Sequence, residues 1–123
     1  MENNFIQSVH ELVEYLEEGC KPSVSWKIGT EHEKFGYCKS SLKPLPYSGA
    51  CSIEGVLKGL METFGWAPME EENNIIGLSK EGASISLEPG GQLELSGALL
   101  DNVHETCLEV ASHLAEVKTI ADR

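Results

Sequence analysis

Hydrophobic and polar positions along the chain predict three helices with strands between them. The first helix starts near Ser8, where Ser8 and Glu11 form an S-x-x-E capping box. Val9, Leu12, Val13 and Leu16 then recur at helical spacing, and Gly19 fits the stop. In the second helix Ile53, Val56, Leu57, Leu60, Met61 and Phe64 fall on one stripe, with Ser52 as the candidate cap and Gly65 ending it. The third begins near Asp101 and puts Val103, Cys107, Val110, Leu114, Val117 and Ala121 on one face. That pattern is still running at Arg123, so more protein is expected to pack on it and the chain is expected to be a truncated one.

Period-two alternation fills the intervals. Residues 27–37 read as a strand; 75–78 and 84–88 flank the polar turn Ser79-Lys80-Glu81-Gly82 as a hairpin. Pro89-Gly90-Gly91 is a second turn, followed by a strand over 92–96, and residues 43–49 form a loop before the second helix. The order is α, β, α, a β meander, then α. Its natural packing is an α+β fold, an antiparallel sheet with helices on one face, in a single domain over residues 1–123.

Composition narrows the function classes. Nine basic residues face twenty acidic ones, a formal charge of −11 that repels phosphate backbones and argues against nucleic-acid binding. The apolar runs are too short for a membrane span. Met1-Glu2-Asn3-Asn4 lacks a basic n-region, so no targeting segment is expected and cytosol is the literal compartment. Cys20, Cys38, Cys51 and Cys107 show no zinc-site spacing and are expected to be mostly reduced.

Strand alternation places the candidate chemistry. Successive side chains point to opposite faces, so Glu31 and Glu33 share one face with His32 on the other. Gln92 and Glu94 share a face while Leu93 and Leu95 point into the core, and Glu88 stands at the near end of the turn. If these strands are neighbours, three or four carboxylates meet on one open face. Oxygen ligands at that density suit Mg²⁺ or Mn²⁺, and a cation would relieve the repulsion among them. The competing reading is a solvated sheet face of ordinary E-x-E strands.

Other groups read as structural. His32 is expected to be packed or hydrogen-bonded, and Cys107, on the apolar stripe of the third helix, a buried thiol. Trp26 and Trp66 read as core or rim aromatics, Glu70-Glu71-Glu72 as a solvated acidic loop, and Gly90-Gly91 as a tight turn rather than a phosphate cradle.

IGTEHEKFGY at 28–37 and IIGLSKEGASISLEPGGQLELSGA at 75–98, followed by L-x-x-x-H-E-T-C at 100–107, resemble the amino-terminal part of glutamate–cysteine ligases of the plant and proteobacterial type. The similarity runs from the G-C-K-P segment at 19–22 to the third helix. The resemblance implies ATP-dependent ligation of the L-glutamate γ-carboxylate to L-cysteine through a γ-glutamyl phosphate, the first step of glutathione biosynthesis. It implies a glutamine synthetase-like carboxylate–amine ligase fold, Glu31, Glu33 and Glu94 as metal ligands with Glu88 a further candidate, and Gln92 positioning a substrate or metal-bound water. ATP and Mg²⁺, or Mn²⁺, are the implied cofactors. Plastid is the alternative compartment, and Cys107 stands where a redox-regulatory cysteine is expected. Leu93 replaces an aromatic, Leu99 replaces a proline, and residues 47–52 are longer than usual; none of these touches the carboxylates.

Family enzymes are several times longer, so the lysines and arginines that bind substrates are expected in the remainder of the enzyme or in another chain. The isolated chain is then an inactive fragment. The alternative is a short non-catalytic paralogue, binding metal or nucleotide or acting as a regulator; a third possibility is another Mg-dependent phosphotransfer enzyme.

Overall fold

The structure, a computed structural model, describes residues 5–122. The reading of residues 1–4 as free of a targeting signal, and the helical pattern at Arg123, lie outside the described residues. In chain order the elements are α1 (Val9–Glu18), a 3₁₀ turn (Ser23–Ser25), β1 (Glu31–Phe35), α2 (Ile53–Phe64), β2 (Ala67–Glu71), β3 (Asn74–Lys80), β4 (Ala83–Glu88), β5 (Gln92–Ser96) and α3 (Val103–Ala121). The strands form one antiparallel sheet in the order β1-β5-β4-β3-β2, so the fold is α+β as expected. No helix among the described residues is long and apolar enough to cross a membrane.

Turn chemistry sets the meander. The β3–β4 turn is only Glu81-Gly82, with φ of 50° and 87°, two residues shorter than the four-residue turn the sequence suggests. Glu72 and Asn73 join β2 to β3 with φ of 49° and 65°. Two consecutive positive-φ residues match the right-handed twist of the flanking strands, which is why both hairpins are tight. Glu70 and Glu71, expected in an acidic loop, belong to β2, an edge strand exposed along its whole length. A charged edge strand beginning Ala67-Pro68 shows no alternation to read, and its charges block edge-to-edge pairing. β1 is shorter than the 27–37 alternation, which continues beyond it only as bridges from Ile28 to Leu100 and from Tyr37 to Pro44.

The core lies between one face of the sheet and the helices α2 and α3. Ser52 caps α2, its Oγ accepting from Gly55 N at 3.1 Å, and Gly65 ends the helix in the left-handed region at φ 75°. The helix buries Ile53, Leu57 and Leu60 against Ile75, Leu78, Ile85, Leu93 and Leu95 of the sheet, with Trp66 and Ile120 closing the cluster. Gly59 allows Ile120 to lie against α2, because a Cβ there would stand 2.6 Å from the Ile120 Cγ2.

Two helical expectations change. In α3 the buried residues are Thr106, His113 and Ile120, seven apart, whereas Val103, Cys107, Leu114 and Ala121 are exposed and Val110 and Val117 half-buried. Apolar count misassigns the inward face here, because two of its three buried positions are polar. Cys107 is therefore an exposed thiol rather than a buried one. α1 buries nothing: Val9, Leu12, Val13 and Leu16 are all exposed. Its cap forms, with Ser8 Oγ accepting from Glu11 N at 3.2 Å and the Glu11 carboxylate accepting from Gln7 N at 2.7 Å, while Gly19 ends it right-handed at φ −71°. Trp26 is 70% exposed, its indole N–H donating to the Lys21 carbonyl, so of the two tryptophans Trp66 alone is a core residue.

A basic layer lies within this packing. His32 and Lys34 project from β1 on the core side, and His113 comes down from α3 with only 3% exposure and neither ring nitrogen hydrogen-bonded to protein. His32 is packed as expected, but its buried Nδ1 has no protein partner. Burial first, and then the charges of Lys34 and His32, lower the His113 pKa from 6.5 to about 4; burial also lowers that of Lys34. A histidine held neutral in the fold contributes stability above the unfolded pKa that is lost as pH falls from 6.5 towards 4. We expect urea denaturation to show a loss on the order of 2 kcal/mol over that window, and His113→Leu to flatten that part of the profile. Identical pH profiles for the two proteins would contradict this assignment.

Candidate functional site: a carboxylate face on the open side of the sheet

Register decides which of the candidate carboxylates meet. β1 and β5 pair antiparallel with Glu33 opposite Glu94, Glu31 opposite Ser96 and Phe35 opposite Gln92. β4 pairs with β5 so that Ser86 is opposite Glu94 and Glu88 opposite Gln92. Directly opposed Cβ atoms lie about 5 Å apart and diagonal neighbours about 7–8 Å apart. Glu33 and Glu94 are therefore immediate neighbours, Glu31 and Glu88 flank Glu94 on either diagonal, and Gln92 lies between Glu88 and Phe35. All five expected side chains share the face away from α2 and α3.

The same register turns Leu93 and Leu95 into the core, at 8% and 1% exposure. Glu31 and Glu33, on the edge strand β1, are exposed, whereas Glu88, Gln92 and Glu94 are half-buried. Ser96 Oγ donates to the Glu94 carboxylate at 3.0 Å, fixing one of its oxygens. Sequence reasoning missed Ser84, Ser86 and Ser96, which share this face and add hydroxyl oxygens to it. The alternation S-x-S-x-E at 84–88 is the signal that could have found the first two.

Charge on the face is uncompensated by nearby lysines. Among the described residues the lysine–carboxylate pairs are Lys27–Asp101, Lys39–Asp122, Lys58–Glu54 and Lys80–Glu116, none of which involves the four glutamates. The donor set is all oxygen, the chemistry preferred by a hard dication. Its geometry is an open wall: among the described residues no three His, Cys, Asp or Glu side chains are gathered closely enough to hold a metal ion by themselves. A wall of this kind can supply only part of the coordination sphere of a hard dication, which takes six or more oxygens.

One residue outside the expected set holds the wall in place. Glu109 of α3 accepts from Ala98 N at 2.7 Å with one oxygen and from Thr30 Oγ1 at 3.3 Å with the other. Thr30 precedes β1 and Ala98 follows β5, and Gly97 N donates to Thr30 O at 2.7 Å. A Cβ at Gly97 would meet the Glu109 carboxylate and the Thr30 hydroxyl and push that carboxylate out of its present position. Glu109 thus ties the Glu31 end of the strand pair to α3.

Comparisons with known proteins match a segment that contains this face. The family model described as glutamate-cysteine ligase family 2 (GCS2) matches residues 27–123. Over 112 residues, 91% of this chain, the chain is 54% identical to glutamate–cysteine ligase A, chloroplastic, of Oryza sativa subsp. japonica, covering 22% of that protein. The corresponding figures are 52%, 91% and 22% for the chloroplastic glutamate–cysteine ligase of Medicago truncatula. For that of Arabidopsis thaliana they are 49%, 91% and 21%. The chain spans about a fifth of the length of the curated relatives it matches.

Two stability measurements test this geometry. Opposed like charges are destabilising, so Glu94→Gln is expected to raise the urea midpoint, by about 0.2–1 kcal/mol in stability; no gain would mean that Glu33 and Glu94 are not neighbours. Glu109→Ala is expected to cost about 1–3 kcal/mol, since it strands the Ala98 N–H and frees the strand pair from α3. A neutral substitution would remove Glu109 from this role.

Proposed function

The chain belongs to the glutamate-cysteine ligase family, and from that membership we propose that it forms one wall of an ATP-dependent ligase site joining the γ-carboxylate of L-glutamate to the amine of L-cysteine. The observation that carries this reading is the opposition of Glu33 and Glu94, with Glu31 and Glu88 on the diagonals, on the exposed face of the sheet. In this reading Glu31, Glu33 and Glu94, with Glu88 beside them, hold Mg²⁺ or Mn²⁺, and Gln92 orients a substrate or a metal-bound water. A bound dication would neutralise phosphate charge during transfer of the γ-phosphoryl group of ATP to glutamate, a reaction that is mostly positioning and electrostatics.

The glutamates present an anionic surface on which a cation, and with it the nucleotide phosphates, would be held. Ser96 Oγ, donating to the Glu94 carboxylate, restrains that one member of the set before anything binds. The product, γ-glutamylcysteine, is the precursor of glutathione, and a glutamine synthetase-like sheet is the architecture we infer for the complete site. The opposite wall, with the cationic groups for the substrate carboxylates and phosphates, belongs to the remainder of the enzyme or to a partner chain. Plastid replaces cytosol as the proposed compartment, because the relatives' names call them chloroplastic.

The test is a chimera in which this chain replaces the matching segment of a full-length family enzyme. Ligase activity is expected to survive the exchange. Glu31→Ala and Glu94→Ala in that chimera are expected to lower kcat by about two orders of magnitude or more while leaving the fold intact by circular dichroism. Undiminished turnover in both variants would reduce the face to solvated surface. Mixed with ATP, Mg²⁺ and both amino acids, the chain alone is expected to release no phosphate, because half a site cannot hold three substrates in register.

A further inference from the structure

A cavity of about 290 Å³ lies between α3 and the end of the β3–β4 hairpin, on the side of the sheet away from the carboxylate face. Trp66, Ala83, Leu95, Ala98 and Leu100 give it apolar walls, and the exposed Ser112 of α3 and Glu81 of the hairpin turn stand at its mouth. His113 of α3 belongs to the same lining and is only 3% exposed. The cavity is separate from the glutamates of the open face, because Leu95 on its wall points to the side opposite Glu94.

Most polar groups around the cavity are already paired. Glu109 accepts from Ala98 N and Thr30 Oγ1, and Glu116 accepts from the Trp66 indole N–H at 2.8 Å. Lys80 donates to Phe64 O at 3.0 Å and stands 3.6 Å from Glu116. Among the described residues, the cavity's one buried side chain without a partner is His113, and both of its ring nitrogens lack one. Burial holds the imidazole neutral, with a pKa of about 4, so it offers one N–H and one lone pair. Leaving both unmade in a dry site is costly. Water answers this poorly, because a buried water needs about two to four polar partners and the walls offer little beyond this ring.

The occupant's charge and size follow from the same residues. An anion would face Glu81, Glu109 and Glu116 against the single Lys80. A cation on the imidazole would add to Lys34 and His32, whose charges already act on His113, and burying either ion is unfavourable. Among the described residues no ligand set for a metal is gathered there. A hydroxyl both donates and accepts, so it satisfies the ring in either tautomer. An apolar cavity of about 150 Å³ admits a benzene ring, so the present volume takes a substituted ring with Trp66 as an aromatic wall. We propose that this cavity is a binding site for a small uncharged phenol, its ring between Trp66 and Leu95 and its hydroxyl on the His113 imidazole. Glu109, which ties Thr30 and Ala98 to α3, forms part of the wall, so occupancy stabilises the β1–β5 pair from beneath. The site does not depend on the ligase reading.

The test titrates the nitrogen-15-labelled chain at neutral pH with 4-methylphenol, reading the ring nitrogens of His113 and the indole N–H of Trp66 by NMR. Both should shift saturably, and the urea midpoint should rise with ligand concentration. Toluene, which lacks the hydroxyl, should bind roughly three- to tenfold more weakly, the loss of one hydrogen bond. The anion 4-methylbenzoate and the cation 4-methylbenzylamine should leave both signals unmoved. His113→Leu should cancel the preference for the phenol over toluene, and His113→Gln, which keeps a donor and an acceptor, should retain it. Ser112→Trp should close the mouth to both, and as an exposed position it leaves the core untouched. Occupancy by water alone, seen as no response to the phenol at His113 or Trp66, would overturn the proposal. So would equal affinity for phenol and toluene in the native chain, or an unchanged preference in His113→Leu.

Discussion

The antiparallel register of β1 on β5 is the constraint on which the rest of the structure depends. The two strands are separated by the whole of α2 and the meander, yet their pairing fixes both faces at once. With Glu33 opposite Glu94, the leucines of β5 enter the core under α2 and the glutamates face outward. A slip of one residue would send Leu93 and Leu95 into water and bury Glu94 among Leu57, Leu78 and Ile85. Burial of each leucine is worth about 1.5–3 kcal/mol, so core formation and construction of the carboxylate face are the same event.

The underside of the sheet then specifies where that face can be. Glu109 reaches from α3 to Thr30 and Ala98 and holds the open ends of the pair together. His113 and Ile120 follow on the same helix surface, one against the basic layer of β1 and the other against Gly59 of α2. A second lock closes the far end. Trp66 Nε1 donates to Glu116 at 2.8 Å, and Lys80 lies 5.7 Å from the Trp66 ring centroid while donating to Phe64 O at 3.0 Å. α3 is therefore attached to the sheet largely through polar contacts at its margins, with Ile120 as its buried apolar anchor.

How legible each part was in the sequence follows from the strength of its physical signal. α2 reads correctly to within a residue because capping serine, apolar stripe and terminal glycine all agree. Alternation gave the facing of Glu31, Glu33, Gln92 and Glu94, but strand adjacency depends on pairing across the meander, which no local pattern encodes. The α3 stripe misled because Thr106 and His113 are buried by their neighbours rather than by their hydrophobicity, leaving Cys107 outside. β2 was invisible for the opposite reason: an edge strand that buries nothing has no periodicity to show.

The carboxylate face also carries a conflict between stability and use. Four glutamates over three adjacent strands repel one another, and the described lysines form their ion pairs elsewhere. A sheet face selected for folding alone would alternate the signs of opposed charges. Here like charges stand directly across the β1–β5 ladder, and the leucines beneath supply the stability that keeps them there. Strain of this kind is relieved by whatever positive charge arrives from outside, so the same repulsion that weakens the free domain strengthens its attraction for a cation. Among the described residues the face is open rather than a closed cage, so a cation drawn to it would keep its far side free for other oxygens.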